Sequence, residues 1–285
     1  MAEELDPKAM GARRFAGRVA VVGGAGQGIG RATARRLAAE GAAVVVADHV
    51  ESTAQRVCQE IRDHGERAVT FVGDLREKEA CEALMQRAVE SFGRLDCLAC
   101  IAGGNLWTKY YHKLSPDQVE ASLTKNLSPT LWMTYYAVPI MIEQNSGSIV
   151  NVATHAVVNS GHVPYATAKG GVISLTLSLS KEVAAHGIRV NCVAPAHSRS
   201  DDPDDRLTPS LYGVDVQAPA STDSDDPEGG ESPEQSEMRR RITVPMGRRG
   251  TMIEQAAAIA FLLSEDASYI TGQILPVNGG ATYPF

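Results

Sequence analysis

From Arg18 onward, short apolar runs alternate with longer segments of mixed polarity. RVAVVGGAGQGIGRATARRLAAEGAAVVVAD passes from an apolar strand through a glycine turn into an Ala/Arg/Leu helix, halts at Gly41 and enters a second apolar strand ending at Asp48. The unit repeats, predicting helix 52–64, strand 68–72, helix 78–92, strand 95–101, a helix from Pro116, strand 148–152, helix 165–185 and strand 189–193, with helix 253–263 and strand 273–277 closing the chain. Strands of apolar and β-branched residues without polar alternation are buried on both faces, and the intervening helices supply the cover. The pattern predicts an α/β fold built on a doubly wound parallel sheet.

One stretch breaks it. Between Asp201 and Glu234 eleven acids face one base, Arg206, and five of the fourteen prolines fall there. That window carries −10 while the whole chain, with 27 Lys and Arg against 34 Asp and Glu, carries −7, so the remainder sums to +3. We read one domain, 1–285, with an acidic, Pro-rich insertion at 199–238 edging a substrate site. No apolar run reaches the roughly 18 residues of a membrane span, and the N-terminal stretch lacks the apolar core of a signal peptide. Five scattered cysteines suit free thiols in a reducing compartment. A cytoplasmic protein with a small-molecule substrate is expected, and its net acidity argues against nucleic acid.

Gly24, Gly28 and Gly30 stand in GAGQGIG, directly after the first strand and opening the first helix. Such a turn brings the backbone close to a pyrophosphate, whose charge meets free amides at the helix N-terminus; a plain strand-to-helix turn would also use glycine. Asp48 ends the second strand, where a carboxylate accepts the ribose hydroxyls of adenosine and repels a 2′-phosphate, favouring NAD over NADP. Further on, Tyr165 and Lys169 lie four apart at the start of a helix, on one face. A neighbouring ammonium favours the phenolate and is expected to lower the tyrosine pKa.

Taken together, Gly24-xxx-Gly28-x-Gly30, Asp74 after the third strand, Ala102-Gly103 after the fourth, Asn126 in the middle helix and Tyr165-xxx-Lys169 resemble the short-chain dehydrogenase/reductase family, from about Phe15 to the closing YITGQILPVNGG. The resemblance implies a Rossmann-type sheet and NAD as cofactor. Tyr165 would be the general acid/base, Lys169 would bind the nicotinamide ribose and tune Tyr165, and Asn126 would hold a water in the proton relay. Gln27 and Ile29 would join the glycines on the cofactor, Asp74 and Leu75 would contact adenine, Ala102 and Gly103 would lie along the cofactor, and Pro195 and Ser198 would line the nicotinamide pocket. Homodimers or tetramers are implied as well. GRLDCLACIAGGNLWTK, the short loop ending HVPYATAKGGV and SEDASYITGQILPVNGG are most similar to dehydrogenases of cis-dihydrodiols of the benzoate-diol type, which yield catechols.

Several positions depart from that pattern. Where the family places its catalytic serine stands Asn151-Val152-Ala153-Thr154, making Thr154 the substitute, with Ser160 and His155 behind it. The Thr-to-Tyr165 interval is 11 residues, implying a shortened substrate loop. Cys100-Ile101 replaces Asn-Asn, Gly23 replaces Thr, and Pro195-Ala196 replaces Pro-Gly. Cys97 and Cys100 spell C-x-x-C, but residues three apart in a strand face opposite sides, so burial is expected rather than redox chemistry. His155, His162 and His197 flank the pocket without metal-site spacing, and Arg239, Arg240 and Arg241 suit a solvated helix end. Two alternatives stay open: an NADH-dependent ketoreductase on a ring or polyketide-like substrate, and an NAD-binding protein with impaired catalysis.

Overall fold

The computed structural model describes residues 13–155, 157, 161–196, 198–199 and 244–281. Ser160, His197, Arg239, Arg240, Arg241 and the acidic stretch 200–238 lie outside the described residues. In chain order the elements are β1 (Val19–Gly23), α1 (Gly28–Ala39), β2 (Ala43–Asp48), α2 (Glu51–Asp63), β3 (Ala68–Val72), α3 (Lys78–Phe92), β4 (Cys97–Cys100), α4 (Pro116–Gln144), β5 (Gly147–Val152), α5 (Val163–Val183), β6 (Ile188–Pro195), β7 (Ser198–Arg199), β8 (Gly250–Thr251), α6 (Met252–Leu263) and β9 (Ile274–Val277). Seven strands form one parallel sheet in the order β3-β2-β1-β4-β5-β6-β9, while β7 and β8 make a separate two-stranded pair.

The central strands are fully buried, as their unbroken apolar runs require. One core layer joins the sheet to α1, α2 and α6 through Ala34, Leu37, Val57, Ile61, Ile259 and Leu262. The opposite layer joins it to α3, α4 and the end of α5 through Leu84, Met85, Met133, Met141 and Val183. Cys97 belongs to the first layer and Cys100 to the second, so the C-x-x-C pair straddles the sheet. All five cysteines are free and buried. Among the described residues no helix is long and apolar enough to cross a membrane.

Caps fix the helices that frame the crevice. Ser115 and Gln118 form a reciprocal capping box at the start of α4, Pro116 follows at the first helical position, and Asn145 ends the helix in the left-handed region at φ 50°. Thr251 and Glu254 repeat the box on α6. Helix α5 begins at Val163, earlier than the expected 165, because Pro164 suits a first turn whose amide needs no partner. It stops at Val183 and tightens into a 3-10 turn, Ala184–His186. Strand order reverses between β1 and β4, and the crevice at their carboxyl ends is where doubly wound sheets bind ligands.

Candidate active site

At the end of β1, Gly24 turns with φ +80°, and a Cβ there would stand 2.8 Å from the backbone N and Cα of Ala102. A Cβ on Gly30 would fall 1.9 Å from the Gly24 carbonyl oxygen. The turn closes onto β4 and α1 only with glycine at both positions. Its first three amides are spent on β2: Gly24 and Ala25 N–H donate to the Ala47 carbonyl at 2.9 Å, and Gly26 N–H donates to Asp48 Oδ2 at 2.9 Å. Donors for an anion therefore begin at the helix itself. Gly28, Ile29 and Gly30 occupy its first positions, where amides lack intrahelical acceptors; Gln27 makes no side-chain cap bond, and the first turn holds no acid. Above Gly28, a Cβ would meet nothing within 4 Å. This open cradle fits the pyrophosphate of a dinucleotide.

Asp48 is buried at the end of β2, held by Gly26 N–H, by Val50 N–H at 3.1 Å and by His49 Nδ1 at 3.2 Å. Burial opposes its charge, yet the bonds from His49, Val50 and Gly26 outweigh that cost and hold the carboxyl below its ordinary pKa. Asp74, expected against adenine, is engaged by Arg76 through the guanidinium and the Arg76 amide. That pairing, more than its partial burial, keeps Asp74 ionised. Leu75 is buried and approaches Gly23, where a Cβ would lie 3.1 Å from Leu75 Cδ1.

Three of the expected residues meet at Gly103. A Cβ there would stand 2.8 Å from Asn126 Oδ1 and 3.2 Å from Lys169 Nζ. Asn126, fully buried, accepts from Gly104 N–H at 2.7 Å and donates to the Ser122 and Gly104 carbonyls at 2.9 and 3.2 Å, pinning the loop after β4 to α4. Lys169, also buried, donates to the Val152 carbonyl at 2.7 Å. Thr154 lies just beyond the end of β5, near enough to Tyr165 to favour its phenolate. The electrostatics differ from the sequence expectation. Burial pushes the Tyr165 phenol up, with Thr154 pulling the other way, while the lysine ammonium donates to the Val152 carbonyl. The downward shift falls on Lys169 instead, brought by burial to about 8, with smaller opposing effects from Cys192 and Cys100.

Around this centre, the amide and Nδ1 of His155 both lie within hydrogen-bond distance of the Pro195 carbonyl, at 3.1 and 3.2 Å. His162 Nε2 lies 3.3 Å from Thr108 Oγ1, which also accepts from Asn105, while Lys109 N–H donates to the Gly161 carbonyl at 3.0 Å. Two loops are thus tied together beside Tyr165. Ser198 stands apart on β7, its hydroxyl 3.5 Å from the Ala196 carbonyl. Sequence reasoning passed over Gly26, Gly104 and Thr108. Gly26 was visible as a fourth glycine in the turn, whereas Gly104 and Thr108 gain meaning only from contacts distant in sequence.

A family model described as short chain dehydrogenase matches residues 18–204, and one described as Enoyl-(Acyl carrier protein) reductase matches 216–282. The chain is 39% identical over 275 residues, covering 94% of each chain, to a 1,6-dihydroxycyclohexa-2,4-diene-1-carboxylate dehydrogenase of Pseudomonas putida. It is 38% identical over 272 residues to a cis-4-hydroxycyclohexanecarboxylate dehydrogenase of Sinomonas cyclohexanicum, covering 94% of this chain and 98% of that one. Among solved structures, that of a levodione reductase superposes with a TM-score of 0.78 at 29% identity, covering 93% of this chain and 98% of the other.

Proposed function

The chain belongs to the short-chain dehydrogenase family, making it an oxidoreductase that works with a nicotinamide cofactor, and we propose that it uses NAD to oxidise a cyclic cis-dihydrodiol carboxylate towards a catechol. The observation that carries this reading is the junction of Gly103, Asn126 and Lys169, with Thr154 beside Tyr165 and favouring its phenolate. Two neighbouring hydroxyls can receive one carbinol oxygen. Thr154 donates to that oxygen and Tyr165 takes its proton, while Lys169 and Asn126 hold the nicotinamide ribose side and the relay water. A bound nicotinamide supplies the hydride acceptor, and its oxidised ring adds positive charge that favours the Tyr165 phenolate.

Cofactor choice is assigned to Asp48, an ionised and preorganised acceptor at the ribose position. Gln27, Gly28, Ile29 and Gly30 take the pyrophosphate, Gly24, Ala102 and Gly103 line the path, Asp74 and Leu75 flank adenine, and Pro195 and Ser198 border the nicotinamide. A substrate carboxylate is supported by the names of both relatives, each acting on a ring acid. In such a diol the carbinol C–H leaves as hydride and its O–H proton goes to Tyr165. The ketone so formed, β to the carboxylate, releases carbon dioxide as the ring becomes aromatic. The levodione reductase likeness favours a second reading, reduction of a ring ketone with NADH by the same residues in reverse.

The deciding experiment follows absorbance at 340 nm with NAD and a panel of cis-dihydrodiols, carboxylated and not, beside simple cyclic alcohols. Turnover confined to carboxylated diols is the expected result. Silence across the panel, with NADH oxidation on cyclic ketones, establishes the second reading instead.

A further inference from the structure

Resting on the assignment of NAD to Asp48, we infer that Gly26, backed by Thr53, is a positioning residue for dinucleotide preference: its missing side chain leaves the seat in which the Asp48 carboxylate is held over the phosphate turn. A Cβ on Gly26 would stand 2.4 Å from Thr53 Oγ1 and 2.9 Å from both Cγ and Oδ2 of Asp48. Nothing in the local backbone demands glycine, since Gly26 lies outside the left-handed region that Gly24 and Gly28 occupy. The requirement is one of space.

Neither wall of the seat yields readily. Thr53 is β-branched and stiff about χ1, and its hydroxyl is committed to the Val50 carbonyl at 2.9 Å. Asp48 is fixed by the Gly26 amide on Oδ2 and by Val50 and His49 on Oδ1. The Gly26 carbonyl is approached by Arg56 Nη2 at 3.4 Å, so the same residue meets an acid at its amide and a base at its carbonyl. A methyl group at position 26 must displace the Asp48 carboxylate or lift the turn. Displacing the carboxylate weakens ribose reading and relieves the repulsion of a 2′-phosphate, whereas lifting the turn weakens both dinucleotides alike.

Those outcomes separate on binding titrations of NADH and NADPH to wild type, Gly26→Ala, Asp48→Ala, the Gly26→Ala/Asp48→Ala pair and the Gly26→Ala/Thr53→Ala pair. Wild type prefers NADH. For Gly26→Ala the NADH/NADPH affinity ratio falls by about tenfold, the scale of a lost hydrogen bond to a charged group. Adding Gly26→Ala to Asp48→Ala leaves the ratio where Asp48→Ala alone put it, because the group being positioned is gone. The Gly26→Ala/Thr53→Ala pair, freed of the closest overlap, gives an intermediate ratio, and it supplies the test if the single alanine variant does not fold. Equal loss of both dinucleotides, or an additive change in the Asp48→Ala background, overturns the positioning role. A wild type without NADH preference, or an Asp48→Ala ratio like wild type, overturns the NAD assignment itself.

Discussion

Threonine at position 154 carries a methyl that serine would lack, and that methyl restricts its rotamers. In the proposed reaction only the hydroxyl is needed. Thr154→Val should lower turnover by about a hundredfold or more, the usual effect of deleting a hydrogen-bond donor to a reacting oxygen, while Thr154→Ser retains turnover; initial rates on the active substrate decide it. Tyr165→Phe should abolish turnover yet keep dinucleotide affinity, read by thermal shift. Lys169 makes a prediction in pH. Its folded pKa of about 8 lies below the ordinary 10.5, so between those values the unfolded chain binds a proton that the folded one has lost. Stability of the wild type then rises with pH across that window, and below pH 8 the full cost of the buried ammonium is present. Lys169→Met should accordingly be more stable by up to about 3 kcal/mol near neutrality. Its advantage should fade as the pH climbs towards 10.5, as urea titrations across the range will measure.

Among the elements, α6 depends on a residue from a strand. Arg189 on β6 donates to the carbonyls of Leu262 at 2.7 Å, Leu263 at 3.3 Å, Ser264 at 2.9 Å and Ile270 at 3.3 Å, closing the C-terminal end of the helix. Arg189→Met keeps the stem and removes the donors, so it should cost about 2 kcal/mol and lower the melting temperature without changing cofactor affinity. The helix and strand at 78–92 and 68–72 were legible to the residue, because their periods are strong and their boundaries abrupt. The pair of two-residue strands β7 and β8 was not, since neither is long enough to show a period. The same division runs through the site. Gly24, Gly28 and Gly30 announce a turn by local spacing, but the seat of Asp48 on Gly26 joins residues 22 apart and exists only after β2 lies beside β1. The spacing of Tyr165 and Lys169 is local, yet the bond of Lys169 to Val152 depends on β5 and α5 packing together.

For the whole molecule, exposed apolar side chains gather on the paired helices α4 and α5, with Leu131 37%, Tyr135 65% and Leu177 41% exposed. Such a face suits self-association. Light scattering should find a dimer or tetramer, and Leu131→Glu with Tyr135→Glu should yield a smaller species; a monomeric wild type would remove this assignment.

The chain also fastens its beginning to its end. Arg14 and Arg18 pair with Asp266 and Glu265 at 3.0 and 2.7 Å, and α1 shares one core layer with α6. During synthesis on a ribosome, Ala34, Leu37 and Ala38 emerge long before Ile259, Leu262 and Leu263 exist to cover them. A nascent chain paused upstream of Met252 has its glycine turn but leaves the side of α1 that faces α6 bare. A premature stop anywhere in that interval should therefore leave an aggregating fragment rather than a smaller dinucleotide-binding domain.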